Sequence, residues 1–266
     1  FLGREIGLAM GIFSTAYPLG TLLSFNAFGY LGAAFGWRAP VLVSVGTGAL
    51  ALAIFLLNCR EAQEEGPPER APFRLSMIVG IGLPIWLLAF TWTSFESVII
   101  SFLTFAPDYF LGKGMSLAFA SALPALIMAG PIVIQPLVGW GVDRLGRKEY
   151  FIGIGGIFLA LLMVVMAGER ESYLFPIILM GFFLSLVPSP LFAFPPELVG
   201  PLYLGLGFGI VNSFSNVGRV LAPYLVGAVR DYTGDYRAAF FVMSLLGLGV
   251  TLNIVLLALR RRRKGV

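Results

Sequence analysis

Two charged residues stand inside long apolar runs: Glu96 in TWTSFESVII and Arg219 in NSFSNVGRVLAP. A carboxylate can neutralise a cation or carry a proton. The planar guanidinium fork matches a carboxylate or phosphate in two parallel hydrogen bonds. Burying either group at the centre of an apolar layer costs at least ~2.5–3.5 kcal/mol, so each should be paired or functional. Arg219 lies eleven residues before Arg230, and Glu96 twelve before Asp108. At a rise of 1.5 Å per residue, both sit about 17 Å from the end of a helical run, in one layer. In one reading the two neutralise each other and join helices. In the other, Arg219 faces a cavity and binds an anionic group, with Glu96 as its resting partner or as a proton carrier. Asn212, Asn216 and Arg219 are spaced four and three apart, on one side of a helix. Thr93, Ser97, Ser101 and Thr104 form a similar stripe beside Glu96. Such side chains also hydrogen-bond between membrane helices for a kilocalorie or less. The candidate substrate-binding set is Arg219, Asn216, Asn212, Glu96 and Thr93.

Several chemistries have no residues to run them. The 266-residue chain has no histidine, hence neither the commonest general base nor the commonest metal ligand. The single cysteine, Cys59, shows no sign of nucleophilic activation. There is no phosphate-binding loop and no dinucleotide fingerprint. Gly205, Gly207 and Gly209 lie in an apolar run, where helix packing explains them better. The chain reads as a non-enzyme with no metal and no cofactor.

The surrounding elements are set by hydropathy. The sequence is 58% hydrophobic and 12% charged, with a mean hydropathy of +0.90. Soluble domains carry roughly 25% charged residues. Apolar runs well beyond 18 residues therefore predict a polytopic membrane protein, and the absence of alternation predicts helices rather than strands. Eight spans are expected near 5–34, 39–58, 75–107, 115–141, 149–167, 172–195, 202–230 and 238–259. Pro84, Pro124, Pro131, Pro136, Pro188 and Pro190 are candidate kinks, and Pro188-Ser189-Pro190 predicts a bend or break. Asn58–Arg74 is the one long polar stretch and the natural boundary. With that linker in the cytoplasm, twelve basic residues gather there, including Arg260–Lys264, against five outside. Eight passes then put both termini inside. The basic tail reads as a topology anchor touching anionic lipid, not as a nucleic-acid site.

Between the fourth and fifth runs lies GWGVDRLGRKEY, Gly139–Tyr150, a charged turn at the membrane surface. Gly139, Asp143, Arg144, Gly146, Arg147 and Lys148 resemble the G-x-x-x-D-R-x-G-R-K loop signature of the major facilitator superfamily of secondary transporters. Gly141 stands where that family more often has a larger apolar residue. An ordinary positive turn between helices is the bland alternative. Tyr17 before Pro18 departs from the fifth-helix pattern of the family's drug/proton antiporters, which has glycine there.

A repeat about 198 residues apart supports the same resemblance. Gly7, Gly11, Ile12, Gly20 and Gly29 fall on Gly205, Gly209, Ile210, Gly218 and Gly227. Arg219 falls on Thr21, so the charge belongs to one copy only. Two halves related by an axis along the membrane normal are the family's architecture. The resemblance implies an all-α polytopic bundle: residues 1–58 as the last two helices of an N-terminal half, 59–74 as a cytoplasmic linker, 75–259 as a complete C-terminal six-helix half, and 260–266 as a basic cytoplasmic tail. It also implies four further spans before Phe1, making this a fragment.

By the same resemblance, the 139–148 loop is an inner conformational gate. Asp143 would meet the amino end of the helix starting near Leu202, while Arg144, Arg147 and Lys148 would hold headgroups and the other half. The expected function is secondary transport of a small solute, first of all an organic or inorganic anion, by alternating access. Whether it is an antiporter, symporter or uniporter stays open, as does a coupling proton or ion. The expected setting is a monomer, multi-pass in the plasma (inner) membrane, in contact with lipid and not nucleic acid. The alternatives are the permease subunit of an ATP-driven importer and a non-transporting sensor on the same fold.

Overall fold

The computed structural model describes residues 6–58, 75–168 and 172–264, and among these every regular element is a helix. Helices α1 (Ile6–Ser14) and α2 (Ala16–Phe35) form one rod interrupted at Thr15, and α3 (Arg38–Asn58) follows. Then come α4 (Leu75–Gly80) and α5 (Leu83–Gly112), separated at Gly82, whose φ of 98° no other residue type adopts easily. Helix α6 (Leu117–Ala125) passes through a tight 3-10 turn at Leu126–Met128 into α7 (Ala129–Leu145), and α8 (Lys148–Ala167) comes next. The predicted break at the double proline is present. Helix α9 (Leu174–Leu184) stops before α10 (Pro188–Phe192), and α11 (Pro195–Leu198) follows. Helices α12 (Leu204–Thr233) and α13 (Tyr236–Lys264) complete the chain.

Among the described residues, seven helices or bent helix pairs are long and apolar enough to cross a membrane, making this a multi-pass membrane protein. The eighth rod, α12, has 30 residues but carries Asn212, Asn216, Arg219 and Arg230, which lower its hydropathy. Its packing along α5 compensates. The two helices run parallel and in register, so that Arg219 meets Glu96 while Arg230 meets Asp108. The equal depths inferred from counting residues are thus those of the fold. Gly218 is the point of closest approach, where a Cβ would lie 2.5 Å from Ser97 Oγ and 2.7 Å from the Thr93 methyl.

The core is the six-rod bundle from α5 onward, filled by Phe102, Phe110, Phe194, Phe240 and aliphatic neighbours. Helices α8 and α13 cross at small residues, with Gly247 against Ala160 and Gly156 against Thr251. Helix α1 leans on α7 and α10, whereas α3 contacts α2 and buries none of its residues. Such an all-round apolar surface suits lipid or another helix.

Three expectations change. The third span is not one helix from residue 75, because Gly82 divides it, and it extends to Gly112 rather than 107. The basic tail is not separate from the last span: α13 stays helical to Lys264, since Arg261 is drawn into ion pairs with Glu149 and Glu197. The 59–74 linker lies outside the described residues, as do Arg4 and Arg170. Both repeat copies fold as a long helix, a positive-φ glycine (Gly36, Gly234) and a second helix. They differ at Thr15, where only the first copy is interrupted.

Candidate functional site

Where α1–α2 leans on the bundle, it closes one side of a cavity of about 250 Å³. The break at Thr15 places Ser14 and Tyr17 on the cavity wall, followed by Pro18. Helix α5 contributes Trp92, Phe95 and Glu96; α7 contributes Gln135; α12 contributes Arg219. Pro188, at the start of α10, forms part of the wall because α9 stops short. Most of the lining is apolar, with a few convergent polar groups, which is the usual make-up of a small-molecule site.

The Arg219 Nε–H donates to Glu96 Oε2 at 2.8 Å. The Glu96 side chain is 5% exposed and that of Arg219 35%, so the acid forms the floor and the base the open side. This bond uses one edge of the guanidinium, and the two terminal amino groups stay available for another acceptor. The Arg219 fork also stands over the Tyr17 ring, 5.8 Å from its centroid. Three more polar atoms on the wall, Trp92 Nε1, Gln135 Oε1 and Ser14 Oγ, are buried with no hydrogen-bond partner among the described residues. A buried unpaired donor or acceptor costs about 1–3 kcal/mol.

Of the five residues expected at a binding site, Glu96 and Arg219 are brought together on the cavity. Thr93, Asn212 and Asn216 are not. The Thr93 hydroxyl donates to Ala89 O and its methyl is packed under Gly218, so it serves the α5–α12 contact. Asn212 and Asn216 share a side of α12 with Arg219 but lie nearer its start, outside the cavity. Their amides turn back onto Phe208 O and Asn212 O of their own helix. Helical spacing fixes a face; it does not fix what stands opposite at each depth. Tyr17, Trp92, Gln135 and Ser14 were not singled out from the sequence as binding residues. Gln135, an amide between Pro131 and Pro136 in an apolar run, carried the clearest available signal.

At the loop end, the Asp143 carboxylate accepts from Gly7 N and Leu8 N, both at 2.8 Å. The expectation that it would meet the helix starting near Leu202 is overturned. The partner is the first described turn of α1, whose free amide hydrogens and positive dipole end attract a carboxylate in the same way. Contact is close because both helices have glycine there: a Cβ on Gly7 would lie 2.6 Å from Gly139 O, and one on Gly11 2.6 Å from Gln135 O. The basic residues of the loop have other partners among the described residues. Lys148 donates to Glu197 at 2.6 Å and to Ala193 O at 2.7 Å, while Arg144 covers Trp140 and Arg147 covers Tyr150. Gly146 ends α7 with a φ of 61°. At the opposite end, Asp108 binds Arg230 at 3.2 Å and the Tyr236 hydroxyl.

Comparison with known proteins agrees with the helical fold. The family model described as Major Facilitator Superfamily matches residues 1–201 and, again, 114–266. The human lysosomal dipeptide transporter MFSD1 is 22% identical across all of this chain and 61% of its own length. A probable sulfoacetate transporter, SauU, of Cupriavidus necator is 23% identical over 94% of the chain and 64% of its own length. Mouse monocarboxylate transporter 11 is 28% identical over 92% and 58%, respectively. The chain thus spans about 60% of the length of the curated relatives it matches.

Proposed function

The chain belongs to the major facilitator superfamily, and on that footing we propose that it moves a small carboxylate-bearing solute across a membrane by alternating access, driven by a gradient and not by ATP. The observation that carries this reading is the cavity in which a buried acid holds an arginine by one edge beside three unpaired polar atoms. An incoming carboxylate takes the free amino groups of Arg219 in the two-pronged geometry that guanidinium favours. Trp92, Ser14 and Gln135 line the same cavity beside it. The names of the relatives support the class, since dipeptides, sulfoacetate and monocarboxylates all carry a carboxylate.

Competition for Arg219 also supplies a coupling step. If the solute draws the guanidinium away, Glu96 is left as an unpaired charge in an apolar layer, which costs several kcal/mol. A proton is the smallest cation that neutralises it, and solute and proton then move together.

Alternation requires an end that closes. The bonds from Gly7 and Leu8 to Asp143, with the glycine crossing beside them, close the loop end between the two halves. A Cβ built on Gly205 or Gly209, the counterparts of Gly7 and Gly11, would meet no other segment of the described residues within 4 Å. A helix resembling α7 from the other half fits that face.

The test is equilibrium binding of radiolabelled short carboxylates and their matched carboxamides to the purified protein. Wild type should prefer a carboxylate, and Arg219→Gln should lose about 10- to 100-fold in affinity for it, the worth of a charge-assisted hydrogen bond. Equal affinity of the two proteins for every carboxylate bound would remove the reading.

A further inference from the structure

We propose that the cleft between α8 and α13 at the loop end is a seat for one anionic phospholipid, with the phosphate on Arg147 and Arg262 and an acyl chain along Ile154, Val255 and Leu259. The cleft has a volume of about 550 Å³, larger than the central cavity, and shares no lining residue with it. Its origin is the small-residue crossing. Helices α8 and α13 touch at Gly156 and Gly247, and Thr251 Oγ1 donates to Gly153 O at 3.0 Å. From there toward the Arg147 end both helices line a groove. The opening between them at the Arg147 end is the cleft.

Charge and polarity are divided along it. The acid in the cleft, Glu149, is matched by Arg261 at 3.4 Å, and Arg261 also holds Glu197 at 3.1 Å. Arg147 and Arg262 have no acidic partner among the described residues. Arg147 stands over the Tyr150 ring, and Arg262 reaches the Tyr150 hydroxyl at 3.5 Å. Two arginines in excess therefore flank a phenol at the mouth, and below them Ile154, Val255 and Leu259 are each nearly half exposed. A cationic, hydrogen-bonding rim above an apolar trough is complementary to a phosphodiester joined to a hydrocarbon chain. Seven membrane-crossing helices place this surface among lipids already, so the occupant needs no separate route in.

The experiment counts lipid adducts by native mass spectrometry. The protein, in uncharged detergent, is titrated with dioleoyl phosphatidylglycerol or dioleoyl phosphatidylcholine. Phosphatidylglycerol should be retained more tightly. Arg147→Gln combined with Arg262→Gln should weaken its retention about thirtyfold, at ~1 kcal/mol per arginine near the headgroup. Val255→Trp, which fills the trough and leaves both arginines, should weaken retention of both lipids by roughly tenfold. Glycerol phosphate, a phosphate anion without chains, should not compete. Equal retention of the two lipids by wild type would overturn the proposal. So would unchanged retention in either variant, or displacement of the lipid by glycerol phosphate at equal concentration.

Discussion

Arg219 owes its place to two neighbours of different kinds: Glu96, which fixes one edge of its guanidinium, and Tyr17, whose ring lies beneath the fork. The account assigns separable jobs to the two charges. Replacing Arg219 removes the solute's anchor and strands a buried acid. Replacing Glu96 leaves the anchor and removes the proton's place. Glu96→Gln should therefore still bind the solute yet lose the stimulation of uptake by an imposed proton gradient. The measurement is initial uptake with and without that gradient, and gradient-stimulated uptake equal to wild type would contradict the coupling step. The two charges were legible in the sequence because ionised groups are so costly in an apolar run that few other reasons keep them there. Trp92, Tyr17 and Gln135 were not, since aromatic and amide residues occur in spanning helices for many reasons. That Trp92 Nε1 and Gln135 Oε1 lack hydrogen-bond partners among the described residues emerges only when distant helices converge.

The join between α1 and α7 depends on what is missing from glycine. Gly7, Gly11 and Gly139 let two backbones meet, and that closeness brings Asp143 to within 2.8 Å of two amide nitrogens. Gly11→Leu drives a side chain into Gln135 O, and overpacking of this sort costs about 1–3 kcal/mol. Because the strain falls on the crossing and not inside the bundle, the loop end should be held open while the six-rod bundle stays folded. Cysteine-accessibility labelling at Gln135 in that background should rise severalfold, and wild-type labelling would show that the helices do not need this approach. Asp143→Asn gives up a charge-assisted pair worth about 1.5–3 kcal/mol. Transport should slow at normal membrane insertion, and wild-type uptake at matched expression would refute the gating role. The acidic, glycine-flanked loop was legible as a motif. Its partner was not, because both α1 and α12 offer a helix start with the same glycine spacing, and only packing decides between them.

At the scale of the molecule, the repeat and the charged layer describe one device. Two related pairs of helices, α2–α3 and α12–α13, have the same turn chemistry, and Arg219 occurs in just one copy. Hydropathy was enough to reveal the rods, since length and apolar content are local properties. It missed the interruptions at Thr15 and Gly82 and the helical continuation of α13 through Arg261, which arise from packing and from ion pairs between distant segments. The central claim is that a carboxylate solute is held by Arg219 between two parts that alternate around it. Its most direct test is uptake into proteoliposomes of labelled carboxylates and their matched carboxamides, by wild type and by Arg219→Gln at equal reconstitution. The account predicts that wild type accumulates a carboxylate and not its amide, and that the variant falls to the level of empty vesicles. Accumulation of that carboxylate by Arg219→Gln at the wild-type rate would contradict it.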